Sequence, residues 1–153
     1  MEGIWKKMNF KPVAATMVLN APEEFLPSLD AIKTLTNVCT HLEEAEKVQF
    51  CMVFATRLEE VNYFAEALAP KLEGDGALWF CYPKGTSKKY KCDFNRDNGW
   101  AALGKLGFEP VRQIAIDENW SALRFRKVEF IKTITRGFAM TEEGKNRTTK
   151  EVK

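Results

Sequence analysis

Residues 48–83 read VQFCMVFATRLEEVNYFAEALAPKLEGDGALWFCYP, and this stretch decides the fold class. Its two apolar runs, 48–55 and 77–82, are typical of strands that are covered on both faces, as in a parallel sheet. Between them, apolar residues recur at helical spacing over 58–72, which predicts an amphipathic helix. The Gly-Asp-Gly sequence at 74–76 predicts the turn that leads into the second strand. The stretch therefore predicts a strand–helix–strand unit.

The segment before this unit extends the same pattern. Residues 13–20 form another apolar run with β-branched side chains and predict a buried strand. Pro22 suits a helix first turn, and the two acids that follow it suit the positive end of a helix. Residues 34–40 are a weaker strand candidate. The first third of the chain thus predicts strand, short helix and strand.

The segment after the unit predicts a helix and a hairpin. Residues 95–97 (Asn-Arg-Asp) introduce a helix whose C-terminal stop is Gly107. Residues 111–117 and 121–128 alternate between apolar and polar positions, which predicts two antiparallel strands joined by a short turn. The complete order predicts a Rossmann-like three-layer α/β sandwich, in which a mostly parallel sheet ends in an antiparallel hairpin. This layout resembles a truncated class I methyltransferase.

Length and composition limit the class of protein. The chain has 153 residues, of which 45% are hydrophobic and 29% are charged. These values predict one folded domain, which we place at residues 1–138, with a polar and flexible tail at 139–153. No apolar run reaches the roughly 18 residues that span a bilayer, and the first residues do not resemble a signal peptide. The four cysteines form no CxxC pair, so we expect free thiols and a cytoplasmic protein.

The formal net charge of +2 hides an asymmetry along the chain. Residues 22–76 carry 11 acids and 4 bases, whereas residues 84–136 carry 12 bases and 6 acids. Solvated faces would explain both blocks. Alternatively, the basic block forms an anion-binding face, or the two blocks mediate self-association, which would make a homo-oligomer. The overall balance argues against a nucleic-acid partner.

The usual cofactor signatures are missing. A dinucleotide or S-adenosylmethionine site normally has glycines after the first strand, where the backbone must approach the ligand. Residues 19–24 instead read LNAPEE, with two acids, and the chain contains no phosphate-binding loop motif. Cys39 and His41, the only histidine, have no second ligand pair nearby. We therefore predict no cofactor and no metal.

The first candidate site follows the strand at 77–82. Lys84 and Gly85 leave the carboxyl end of that strand, where ligands of open α/β sheets bind. Lys84 would bind an anionic group there, or act as a base if it is desolvated. A solvated loop with a basic tip is the alternative.

The second candidate site is the predicted hairpin, 117–126. Asp117 is expected to cap the turn through backbone N–H groups, and Trp120 to pack over the sheet end near Pro83. Alternation places Ser121 on one face of the strand and Arg124 and Arg126 on the other. The two arginines suit a carboxylate or phosphate, or an acid of the protein itself.

The residues at these two places resemble a known family. Gly76-Ala77-Leu78-Trp79, Tyr82-Pro83-Lys84 and the sequence DENWSALRF at 117–125 are similar to a bacterial family of small, uncharacterised Rossmann-like proteins, a domain of unknown function. The resemblance covers about residues 13–127. It implies the fold and gives no reaction. It marks four positions of the family pattern: Lys84, Asp117, Trp120 and Ser121.

Three functions remain open at this stage, and the residues do not specify whether the protein is an enzyme. The leading hypothesis is a protein that binds a small anionic ligand, or a protein partner, at the carboxyl rim of the sheet. The alternative is a degenerate S-adenosylmethionine-dependent methyltransferase-like protein. The third is a module for charge-mediated interaction or self-association.

Overall fold

A computed structural model describes residues 3–94 and 98–131. The strands are β1 (Ala15–Leu19), β2 (Asn37–Cys39), β3 (Val48–Phe54), β4 (Leu72–Pro83), β5 (Phe108–Ala115) and β6 (Trp120–Lys127). The α-helices are α1 (Ile4–Lys7), α2 (Leu26–Asp30), α3 (Leu58–Leu68) and α4 (Ala101–Lys105). Short 3-10 helices occur at Glu23–Phe25, Leu42–Glu44 and Val128–Phe130.

The six strands form one sheet in the order β2-β1-β3-β4-β6-β5. The four strands from β2 to β4 are parallel. Strand β6 then pairs antiparallel with both β4 and β5. A mostly parallel sheet that ends in an antiparallel hairpin was predicted, and the structure confirms it.

Helices cover both faces of this sheet. One hydrophobic cluster joins α3 and α4 to the sheet and includes Val61 and Leu103. The other cluster joins α1 and α2 to the opposite face and includes Trp5 and Leu29. The predicted three-layer arrangement is therefore confirmed. Helix α1, which sequence reasoning missed, is held by the Trp5 indole N–H, which donates to the Ser28 carbonyl at 2.7 Å.

The helix predicted at 58–72 is shorter in the structure, and the turn predicted at 74–76 is absent. Helix α3 ends at Leu68, two residues before Pro70, which cannot continue a helix. Leu72 is instead buried in β4 and pairs with Val48. Residues 74–76 lie within β4, where the register shifts and Gly74 has a φ of 56°. The glycines thus accommodate a bulge in a long strand.

Two predicted boundaries near the hairpin also differ. Strand β5 begins at Phe108, three residues earlier than predicted, because Phe108 is buried and pairs with Lys127. Helix α4 begins at Ala101, and the helix start predicted at 95–97 lies outside the described residues. The predicted tail at 139–153 lies outside them as well.

The charged blocks and the thiols have defined places in this fold. The acidic block contributes β2, β3 and α3, and the basic block contributes β6 and β5, so the two blocks lie at opposite ends of the sheet. All four cysteines are free, and Cys39, Cys51 and Cys81 are buried. Burial raises the pKa of the Cys51 thiol to about 12. No helix within the described residues has both the length and the apolar character needed to cross a membrane.

The bulge in β4 leads to a prediction for Gly76. A Cβ at this position would lie 2.7 Å from Leu72 Cδ1, 3.0 Å from the Gln49 carbonyl and 3.1 Å from the Glu73 carbonyl. Because two of these neighbours are backbone atoms, we expect Gly76→Ala to reduce the free energy of unfolding by about 1–3 kcal/mol. Urea denaturation measures this change.

Gly85→Ala is the matched control, since a Cβ there meets nothing within 4 Å. We expect Gly85→Ala to change stability by less than about 1 kcal/mol, in the stabilising direction. Equal effects of the two substitutions would contradict the described geometry of β4.

Candidate functional site

A cleft lies at the carboxyl end of β4, between the segment that follows this strand and the β5–β6 hairpin. Strand β4 ends at Pro83, which pairs with Trp120, the first residue of β6. The cleft has a volume of about 670 Å³. Its lining residues are Tyr82, Pro83, Lys84, Gly85, Thr86, Ser87, Tyr90, Lys91, Cys92, Phe94, Gln113 and Ser121. A cavity therefore lies where the sequence analysis placed its first candidate site, after the strand predicted at 77–82.

The lining of this cleft is basic. Lys84 is half-buried and Lys91 is exposed, and among the lining residues that the structure describes there is no aspartate or glutamate. Within the described part of the chain, neither lysine has a carboxylate within 4.0 Å. Hydroxyl groups of Thr86, Ser87 and Ser121 add hydrogen-bonding capacity. The cleft can therefore attract an anion and also orient it.

The hairpin turn holds in place the lysine-rich segment that follows β4, residues 84–93. The backbone N–H of Lys84 donates to the Asn119 carbonyl at 2.8 Å. The Ser87 hydroxyl donates to Asn119 Oδ1, also at 2.8 Å. Ser87 Oγ in turn accepts the backbone N–H of Tyr90 at 3.1 Å. These bonds link the turn directly to the wall of the cleft.

Asp117 organises the turn itself. Its Oδ1 accepts the backbone N–H of Asn119 at 2.8 Å and that of Trp120 at 2.9 Å. The prediction that Asp117 caps the turn is confirmed. Asp117 does not line the cleft. Its described contacts are therefore those of a residue that positions the hairpin.

Trp120 packs beneath the rim. It is only 3% exposed, and its ring centroid lies 4.8 Å from that of Tyr90 and 5.1 Å from that of Phe54. Its register partner is Pro83, so the predicted position near this residue is confirmed. Trp120 supports the cleft wall through Tyr90, and it does not line the cleft itself.

The structure separates the two arginines from Lys84 and Ser121. Strand alternation places Ser121 in the cleft, whereas Arg124 and Arg126 belong to the opposite face. Arg124 pairs with Trp79, in the middle of β4. Arg126 forms a bidentate ion pair with Asp75, through Nε at 2.9 Å and Nη2 at 2.5 Å. Arg126 thus pairs with an acid of the protein itself, which was one of the two alternatives, and the two arginines do not share a site with Lys84 because β6 runs away from the rim.

The side of the cleft formed by Tyr90 is fixed by a contact with Glu24 that the sequence analysis did not predict. The Tyr90 hydroxyl donates to Glu24 Oε1 at 2.7 Å, and Lys89 Nζ lies 3.5 Å from Glu24 Oε2. The hydrogen bond from Tyr90 lowers the pKa of Glu24, and the same bond raises the pKa of Tyr90. Tyr90 and Glu24 are 66 positions apart, so no local pattern could have indicated this pair.

The far end of the segment is fixed to α3. Asp93 Oδ1 accepts the backbone N–H of Leu58 at 2.7 Å, and the Asp93 N–H donates to the Thr56 carbonyl at 3.1 Å. A neighbouring cavity of about 510 Å³ is lined by both acids and bases, among them Arg57 and Glu59. Cys92 borders both cavities. Desolvation raises the pKa of its thiol, so the thiol is protonated at neutral pH.

The turn after β1 does not fit the cofactor that this type of fold suggests. Asn20 adopts a left-handed conformation with a φ of 59°, and a single 3-10 turn at Glu23–Phe25 follows. The Glu24 carboxylate engages Tyr90 and Lys89 of the segment after β4. Acidic side chains and a bound loop thus stand where a glycine-rich turn would let the backbone approach S-adenosylmethionine.

A metal centre is not found in the described part of the chain, where no three His, Cys, Asp or Glu side chains are grouped to hold an ion. Cys39 is buried, whereas His41 is exposed, and His41 Nδ1 lies 3.0 Å from Glu44 Oε1.

The packing of Trp120 predicts a large effect on stability. We expect Trp120→Ala to lower the free energy of unfolding by about 3–5 kcal/mol, as other buried aromatic truncations do. Asp117→Asn should cost much less, because an amide oxygen can still accept both N–H groups of the turn. Chemical denaturation compares these variants with Tyr63→Ala, an aromatic truncation at a residue that is 62% exposed. An unchanged free energy of unfolding in Trp120→Ala would mean that Trp120 is not a structural residue.

The Tyr90–Glu24 hydrogen bond predicts a pH dependence. Because the folded pKa of Glu24 is lowered from 4.5, its contribution is present above pH 4.5 and is lost as pH falls through the folded value. Because the folded pKa of Tyr90 is raised from 10.0, its contribution is present below pH 10 and is lost as pH rises through the folded value.

Tyr90→Phe removes this hydrogen bond and retains the ring. We therefore expect the difference in melting temperature between wild type and Tyr90→Phe to be largest near neutral pH and to shrink at both extremes. Tyr63→Phe is the control, since Tyr63 is exposed. A difference that stays constant from pH 3 to 11 would exclude a role for the Glu24 charge.

Comparisons with known proteins identify the fold. No protein-family model matches the chain, and no curated protein matches it by sequence. Solved structures do match. One is a SAM-dependent methyltransferase from Aquifex aeolicus, with a TM-score of 0.58 and 14% identity over 82% of this chain and 88% of that one.

Two further methyltransferase structures are similar. The putative type 11 methyltransferase from Sulfolobus solfataricus has a TM-score of 0.52 and 8% identity over 81% of this chain and 89% of that chain. Magnesium protoporphyrin IX methyltransferase from Synechocystis PCC 6803, with bound SAH, has a TM-score of 0.53 and 10% identity over 80% of this chain and 77% of that chain. At these identities the likeness concerns the fold alone, which is the Rossmann-like fold of the S-adenosylmethionine-dependent methyltransferases.

Proposed function

We propose that this protein binds a small organic anion in the cleft between the segment after β4 and the hairpin. The observation that carries the proposal is the pair Lys84 and Lys91, two cations in a cleft whose described lining residues include no carboxylate. Ammonium groups without internal partners attract phosphate and carboxylate groups. The volume of about 670 Å³ lies within the range of known small-molecule sites.

The lining also indicates what else the ligand contains. Tyr82 and Phe94 are nearly buried and form an apolar wall, with their ring centroids 6.1 Å apart. Tyr90 forms a second wall, which Trp120 supports from behind. A ligand that carries one anionic group and one apolar part would use both the lysines and the aromatic walls. Phosphorylated and carboxylated metabolites of this kind are the substrate class that the cleft suits.

The proposal concerns binding, and it includes no reaction. The Cys92 thiol is held in its protonated form, which is a poor nucleophile. His41, the only histidine of the chain, follows β2 at the opposite edge of the sheet from β5. A histidine-dependent dyad with Ser121 or Cys92 therefore has no support in the described geometry.

Binding can be tested by thermal shift and calorimetry with nucleotides, phosphosugars and small carboxylates. We expect at least one of these anions to stabilise the wild type and to bind Lys84→Ala about 10–100-fold more weakly, the effect of losing one charged hydrogen bond. The control is Lys105→Ala, which removes an exposed lysine outside the cleft. If no anion stabilises wild type more than Lys84→Ala, the cleft is not an anion site.

A second candidate, a methyltransferase-like protein, is favoured by the fold alone. S-adenosylmethionine is therefore included in the same calorimetric series. We expect absent or millimolar binding, because the turn after β1 carries Glu24 and is bound there by the Tyr90 hydroxyl. Micromolar binding would favour this second candidate over a protein that has only the fold of its structural neighbours.

A further inference from the structure

Three side chains form a row across the outer strands, on the sheet face opposite to Ser121. Trp79 of β4 pairs with Arg124 of β6, and Arg124 pairs with Arg112 of β5. Directly paired residues have Cβ atoms about 4.5–5.5 Å apart, on the same face. The row therefore places one tryptophan and two arginines at neighbouring positions on one face of the sheet.

All three side chains donate hydrogen bonds and none accepts them. Trp79 is fully buried, and its indole Nε1 has no hydrogen-bond partner among residues 3–94 and 98–131. The Nε of Arg124 is also buried and has no partner in the same ranges. No described carboxylate lies within 4.0 Å of Arg112 or Arg124. An unsatisfied buried donor destabilises a fold. A bound group that accepts hydrogen bonds from these donors would therefore stabilise the row.

The positive charges of the row also favour a bound anion. Like charges that are paired directly across two strands repel each other. Burial lowers the pKa of Arg124, the nearby charges of Arg126 and Arg112 lower it further, and the charge of Asp75 acts in the opposite direction. The acid next to this row, Asp75, is already held by Arg126 in a bidentate pair. A bound anion would offset the repulsion and also satisfy the donors.

We propose that the row of Trp79, Arg124 and Arg112 binds a phosphate group, either as inorganic phosphate or as the phosphate of a small ester. The planar guanidinium group matches the geometry of phosphate oxygens, and two such groups can hold one phosphate between them. This site is separate from the cleft, since its residues do not line the cleft and lie on the other face of β6. The two proposals can therefore fail independently.

The test uses the full chain and inorganic phosphate, with chloride added to keep the ionic strength constant. For wild type we expect a rise in melting temperature of about 3–6 °C at a phosphate concentration ten times the dissociation constant. Arg112→Gln, which changes an exposed side chain, should remove the share of this rise that the row contributes. Without phosphate the same variant should be as stable as wild type or more stable, because the repulsion is removed.

Arg124→Lys is the second variant, and it retains the charge but loses the guanidinium fork; we expect a reduced phosphate response. Lys105→Gln, which removes an exposed lysine outside both sites, is the control and should respond as wild type does. Lys84→Gln reports on phosphate that binds in the cleft instead. Glycerol phosphate in place of phosphate distinguishes an ester site, which would respond to both, from a site for inorganic phosphate alone. The proposal is overturned if wild type shows no phosphate response, if Arg112→Gln responds fully, or if Lys84→Gln alone loses the response.

Discussion

The antiparallel pairing of β6 with β4 is the constraint on which the candidate site depends. It sets Trp120 opposite Pro83 and brings the Asn119 carbonyl to the backbone N–H of Lys84. Asp117 fixes the turn, Asn119 then holds Ser87, and Ser87 holds Tyr90. Without this register, the lysine-rich segment would have no fixed relation to the hairpin, and the cleft would lose one wall.

The same sheet can serve different chemistry because function resides in the residues at its rim. The solved structures that match this chain share its fold, at identities of 14% or less in the three reported above. In this chain the turn after β1 is acidic and is bound by Tyr90 from the segment after β4. The accessible basic cavity instead lies at the end of β4. We therefore propose a shared fold with a ligand site displaced to the end of β4.

The sequence predicted those features that depend on neighbouring residues. Buried apolar runs indicated β1, β3 and β4, and alternation indicated the hairpin, because each signal lies within a few residues. The cap by Asp117 was predictable for the same reason. Contacts between distant segments were not, since Tyr90 and Glu24 are 66 positions apart and Arg126 and Asp75 are 51 apart. Sequence reasoning also ended α3 late, because Leu72 suits both a helix face and a buried strand.

The central claim is that the ligand site of this protein lies at the β4–β6 rim and not at the turn after β1. A crystal structure of the chain with the anion that stabilises it most would test this claim most directly. The account predicts ligand density between Lys84 and the aromatic wall of Tyr82 and Phe94, with the Tyr90–Glu24 hydrogen bond intact. Density over residues 20–24, with that hydrogen bond broken, would contradict the account.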